Sequence, residues 1–264
     1  MVHRILAAVA ASCLLASTPL AAQGIDRATI MKDPKVFGLF VTLKMRPDYA
    51  TLPAAKRRAG AVSEIQAVIA KHRDNVLADF FLTRGLDTES DILVRVHAYD
   101  LVKAQNFVID LRATTLGMHA DVEQKFVGMT NALIYAHKSP GLTDSLKATT
   151  YSDPAPRFVV MIPIKKSAEW WTLPHDQRLK LIEEHTILTL GFLATIKRKL
   201  YHSTGLDDVD FMTCFEFADV SAFHELSKVL MAVGENRYHV QWGNPTLIGR
   251  IDSLENVLTA VAGG

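Results

Sequence analysis

Apolar residues in this 264-residue chain cluster in short runs, and the spacing inside each run sorts them into strands and helices. Residues 36–44 (VFGLFVTLK) form a near-continuous apolar run and predict a buried strand. Residues 52–71 carry Ile65, Val68, Ile69 and several alanines at helical spacing. Strands are expected over 76–83, over 91–98, where apolar and polar residues alternate, and over 122–129; a helix is expected over 99–112. The same succession then returns. Strands are predicted over 157–164, 194–201, 209–217 and 238–242, with helices over 174–192 and 220–233.

The return is also visible in the letters. Tyr49-Ala50-Thr51-Leu52-Pro53 is echoed by Trp170-Trp171-Thr172-Leu173-Pro174, Gly85-Leu86-Asp87 by Gly205-Leu206-Asp207, and Tyr99-Asp100-Leu101 by Ala218-Asp219-Val220. The three pairs occur in one order at almost one offset. Each half therefore reads β-α-β-β-α-β, a ferredoxin-like pattern whose sheet carries helices on one face only. The bare face of each sheet needs a partner, and a tandem copy supplies it. The expected class is α+β with two ferredoxin-like halves, residues 23–137 and 157–264. They are joined by a linker at 138–156 that is rich in Ser, Thr and Pro.

Composition adds a leader and removes several classes of partner. His3 and Arg4, an apolar stretch over 5–15 and small residues up to Ala22 predict a cleavable secretory signal over 1–22. Loss of Arg4 with it brings the basic residues level with the 28 acidic ones. No strong field then favours nucleic acid or an anionic membrane surface. Of the two cysteines, Cys13 lies in the leader. Cys214 is left alone on a predicted buried strand, where an inert small residue is expected. An exported chain without an internal disulfide fits the bacterial periplasm.

Candidate chemistry concentrates in the second half. Gly-rich phosphate loops, Gly-x-Ser-x-Gly, Cys-x-x-Cys and His-Glu-x-x-His are all absent from the sequence. Leu181, His185, Leu188 and Phe192 share one helical face, so His185 is the polar group on an apolar stripe. The pattern fits a hydrogen-bonded core histidine first, and it also fits an axial ligand of heme, which needs an apolar slot and one strong nitrogen donor. Such a ligand requires an acceptor for its second ring nitrogen, and Glu235 is the candidate. Arg198 and Leu200 alternate on one strand, Thr213 and Phe215 on the next. Together they outline a pocket with one cation and apolar walls, suited to a small anion. Lys197 and Lys199 point the other way and read as a solvated basic run. The first half has Glu64 where the second has His185, and lacks the cation run.

These residues resemble the chlorite dismutase family, heme b enzymes that convert chlorite to chloride and dioxygen. The resemblance runs from Val36-Phe37-Gly38 to the C-terminus. It is most specific in Ala168-Glu169-Trp170-Trp171, in Glu184-His185-Thr186, over 197–208 and over 239–243. It implies that His185 ligates iron, one heme b per subunit, and that Glu235 accepts the second ring proton. It implies further that Tyr135, Lys166 and Trp170 contact the heme propionates, and that Trp171 lies near the heme at a subunit contact. Leu200, Thr213 and Phe215 would line the distal side. Arg198 would be the catalytic distal arginine, holding chlorite and retaining transient hypochlorite. Length and leader resemble the long, periplasmic lineage of homopentamers. The alternatives are a coproheme decarboxylase, which shares the fold but commonly carries Gln in place of Arg198, and a heme-binding protein without catalysis.

Overall fold

The computed structural model describes residues 24–132 and 155–263. The leader, most of the linker and Tyr135 lie outside the described residues. Strands β1 (Phe37–Met45), β2 (Leu77–Leu82), β3 (Ile92–Ala98) and β4 (Ala120–Met129) form the first half, in the spatial order β4-β1-β3-β2. In the second half β5 (Phe158–Lys166), β6 (Ile196–His202), β7 (Phe211–Phe217) and β8 (His239–Trp242) repeat that order as β6-β7-β5-β8 read from the opposite edge. All pairings between strands are antiparallel.

The two sheets do more than face each other. β4 meets β6 through Met129 and His202, and β2 meets β9 (Leu247–Arg250) through Leu82 and Arg250. Because β9 also pairs with β5, and β5 with β7, the strands close into a ring. A closed ring has no free edges between the halves.

Closure explains the one place where alternation misleads. β3 alternates apolar and polar residues, yet all seven are buried. Ile92, Val94, Val96 and Ala98 pack beneath the helices of the first half, while Leu93 joins Phe40, Phe81, Phe126, Met161, Tyr201 and Met212 inside the ring. Arg95 and His97 share that inward face. Arg95 lies between Asp79 (2.9 Å) and Glu216 (2.7 Å), and His97 Nε2 and the Tyr201 hydroxyl share a hydrogen bond (2.6 Å).

The helix expected over 52–71 begins only after Pro53, since the residue before a proline is held extended. It runs through Ala54–Ala59, a wider turn at Gly60–Glu64, and Ile65–His72. Glu64 accepts from the Thr115 backbone N–H (2.5 Å) and hydroxyl (2.9 Å), so the position matching His185 is structural in the first half. The shared Gly-Leu-Asp turns are structural as well: Gly85 and Gly205 both take positive φ. The C-terminal helix Leu254–Ala262 lay outside the predicted elements. Its Val257, Leu258 and Val261 pack into the core of the first half, so the chain's end returns across the division drawn from the repeat.

Candidate functional site

The site lies between the helix His175–Thr189 and the outer face of β5, β6 and β7, where a third apolar cluster contains Val160, Ile162, Phe215 and Phe217. The helix starts after Pro174, whose fixed φ suits a helix entry, with Asp176 in the first turn against the N-terminal dipole. Its buried residues are His185, Thr186 and Thr189. The expected stripe is therefore only partly real, because Leu188 is half-exposed beside Ile187. Helical spacing places a residue on a face, and here the helix stops at Thr189 before that face is covered.

His185 is 9% exposed and Glu235, in the short 3-10 turn Gly234–Tyr238, is 7% exposed. His185 Nδ1–H donates to Glu235 Oε2. The pairing fixes the tautomer, leaving the Nε2 lone pair directed into the cavity. Burial lowers the His185 pKa; the hydrogen bond to Glu235 opposes the shift and the Arg198 charge adds to it. Burial would raise that of Glu235, but the hydrogen bonds from His185 and Lys166 and the Lys166 charge hold it well below the usual carboxylate range. The pair is thus a neutral imidazole on a carboxylate, the state in which imidazole binds a metal.

Lys166, expected at a propionate, lies in the hydrogen-bond network behind His185. Its Nζ donates to Glu235 Oε1 (2.5 Å) and to His239 Nε2 (2.7 Å), and sits 4.0 Å from the Trp170 ring centroid. His239 Nδ1–H in turn donates to Asn236 Oδ1 (2.9 Å). Burial, with Lys166 adjacent, brings the His239 pKa down to about 4, so the ring is a neutral acceptor for the lysine. Asn236, His239, Lys166, Glu235 and His185 form one chain of hydrogen bonds ending at the cavity.

Across the cavity stand the residues expected on the distal side. Arg198 pairs in register with Phe215 and Leu200 with Thr213, so all four present one face. Thr213 and Phe215 are buried. Arg198 Nη1 donates to His185 Nε2 at 3.0 Å. Trp170 is buried, while Trp171 is 40% exposed and stacks on Phe211 at 6.2 Å. All the described candidates line one cavity of about 800 Å³, together with Ile164, Arg178 and Ile182, which the sequence had not singled out, and His202 and Trp242, which lie in the stretches that carry the resemblance. Arg178 and Ile182 did carry a signal, lying seven and three residues before His185 on the same helical face.

Lys197 and Lys199 do face away from Arg198, but they are not a solvated run. Lys199 donates to the Met31 carbonyl, and burial lowers its pKa to about 8. Cys214 shares that side; burial raises its thiol to about 12, which leaves it inert as a nucleophile.

The residues present fit a heme. His185 offers one backed nitrogen, and an iron held by one protein nitrogen needs its remaining positions filled by a ligand it brings with it. The cavity volume falls within the range of cofactor sites and the walls are mostly apolar. A metal held by His185 would displace the Arg198 guanidinium from Nε2.

A two-halved antiparallel α+β ring with a carboxylate-backed histidine facing an arginine defines a class of protein, and the comparisons agree on its family. The chlorite dismutase family model matches residues 58–252. A chlorite dismutase of Ideonella dechloratans is 51% identical over 242 residues, 91% of this chain and 85% of the relative. The structure of chlorite dismutase from Candidatus Nitrospira defluvii in complex with imidazole superposes with a TM-score of 0.84 at 36% identity, covering 90% of this chain and 100% of that one. A coproheme decarboxylase of Mycolicibacterium smegmatis is 22% identical over 205 residues. The chain belongs to the chlorite dismutase family.

Proposed function

We propose that this chain works with heme b, held through His185, in the periplasm and as a homopentamer. As a chlorite dismutase it is an enzyme that converts chlorite to chloride and dioxygen. The observation that carries the heme reading is the His185–Glu235 pair, with Nε2 aimed into a large, mostly apolar cavity opposite one arginine. The relative from Candidatus Nitrospira defluvii has been solved with imidazole and, as a variant, with cyanide. Both molecules coordinate heme iron. The repeated strand order supports reading the chain as two tandem ferredoxin-like halves, with the cofactor in the second.

When bound, heme iron supplies the oxygen-atom chemistry that splits chlorite and joins two oxygens. The protein's own part is positional and electrostatic. Glu235 holds the imidazole in one tautomer and orientation, and Lys166 holds Glu235. Arg198, always cationic, binds the anion and keeps hypochlorite from escaping. Leu200, Thr213 and Phe215 narrow the space around it and exclude water. Trp170 and Trp171 wall one end of the cavity. The half-exposed Ile187 and Leu188 and the exposed Trp171 supply apolar surface for a neighbouring subunit to cover. The leader over 1–22 carries the chain to the periplasm.

The test is direct. The purified chain shows a Soret band and evolves oxygen at an electrode on addition of chlorite. Arg198→Ala keeps its heme but evolves oxygen roughly a hundredfold more slowly, the scale of losing one preorganised charge donor, and bleaches sooner. A Soret band without oxygen evolution in the parent enzyme overturns the assignment, and unchanged turnover in the variant removes Arg198 from the mechanism.

A further inference from the structure

We infer that Arg178 clamps a carboxylate of the cofactor, fixing how the macrocycle sits over His185; the inference rests on the heme reading above. Arg178, Ile182 and His185 are spaced by four and three residues on one helix, and all three line the cavity. Two helical turns separate the arginine from the histidine, roughly 10 Å along the axis. That separation matches the span from a porphyrin's centre to the carboxylates on its rim.

The guanidinium is held ready. Its Cζ lies 5.8 Å from the Trp171 ring centroid, and Trp171 itself is stacked on Phe211. Arg178 Nε is buried and has no hydrogen-bond partner, and among the described residues Arg178 forms no ion pair. A buried N–H without an acceptor is unfavourable, so a ligand that brings a carboxylate there gains from both charge and geometry. The other cations at this end are committed elsewhere. Lys166 is bound to Glu235 and His239 over Trp170, and Arg198 donates to His185. Arg178 is therefore the cation at this end whose buried N–H is left to meet a propionate.

The measurement is the rate at which holoenzyme gives up its cofactor to an excess of an apoglobin acceptor. Parent and Arg178→Ala proteins are each loaded with heme b or with heme b dimethyl ester, whose rim carries no charge. With heme b, Arg178→Ala releases cofactor roughly ten- to a hundredfold faster, the worth of a charge-assisted hydrogen bond. With the ester the two proteins release at the same rate. Arg178→Lys, which keeps the charge but not the fork, falls between them for heme b. Equal acceleration for both cofactors would make Arg178 a structural residue and overturn the clamp, as would unchanged release of heme b. If Arg178→Ala does not accumulate folded, Arg178→Gln, which keeps the stem over Trp171, carries the same comparison. A parent chain that takes up neither cofactor overturns the heme reading itself, which is a different result from any of these.

Discussion

At the scale of single residues, the site is organised around competition for one carboxylate. Glu235 accepts from His185 through one oxygen and from Lys166 through the other. The more charge the lysine draws, the less basic the imidazole becomes, and the less it stabilises ferric over ferrous iron. Two substitutions should therefore move the iron potential in opposite directions. Glu235→Ala raises it by tens of millivolts, where about 60 mV corresponds to a tenfold change for one electron. Lys166→Met, which frees Glu235 for His185 alone, lowers it. Spectroelectrochemical titration of the two holoenzymes reads both, and shifts of the same sign would break the argument. Glu235 was legible as an acceptor because a metal-bound histidine requires one. The role of Lys166 was not legible, since nothing in its sequence neighbourhood places His239 within hydrogen-bond reach.

At the scale of elements, the repeat explains both what the sequence told and what it hid. Pattern and spacing placed all eight strands of the two halves, because most are apolar runs or alternate apolar and polar residues between turn residues, and the repeat located the rest. They missed β9, which completes the ring, and the C-terminal helix, which packs into the core of the first half. The junction of β4 and β6 shows what closure demands of particular residues. A Cβ on Gly38 would stand 2.6 Å from the Tyr201 ring, and one on Gly128 would stand 2.6 Å from the Ser203 hydroxyl. Tyr201 is fully buried there, edge-on to Phe40 at 5.0 Å, with no room to retreat. Gly38→Ala should cost about 1–3 kcal/mol, the usual penalty of overpacking. In a Tyr201→Leu background, which opens the space, the same change should cost clearly less. A double-mutant cycle in urea measures that coupling, and additive losses would show that the glycine serves some other purpose.

At the scale of the whole molecule, closing two sheets into one ring buries charges that a single sheet would leave in water. Arg95 is 1% exposed, yet its partners Asp79 and Glu216 come from β2 and β7, strands of different halves. The sequence offered Arg95 as a polar residue on an alternating strand, and from one half alone it would point to solvent. Its burial is a property of the assembly of halves. Burial would raise the Asp79 pKa, but the charges of Arg95 and Arg27 outweigh it and bring the value from 3.8 to about 2. A carboxylate depressed in the folded state adds stability above its unfolded pKa and loses it as pH falls through the folded one. The contribution is therefore complete above pH 4 and gone near pH 2. At about 1.4 kcal/mol per unit it amounts to about 2 kcal/mol. Asp79→Asn should lower the unfolding free energy at pH 7, read from urea titration, by at least that much, because it also strips a partner from a buried guanidinium. The gap between variant and parent should then narrow as pH falls from 4 to 2. A gap that stays constant over that range would mean that Asp79 acts by shape and hydrogen bonding, and that the charge on Arg95 is balanced by Glu216 from the second half.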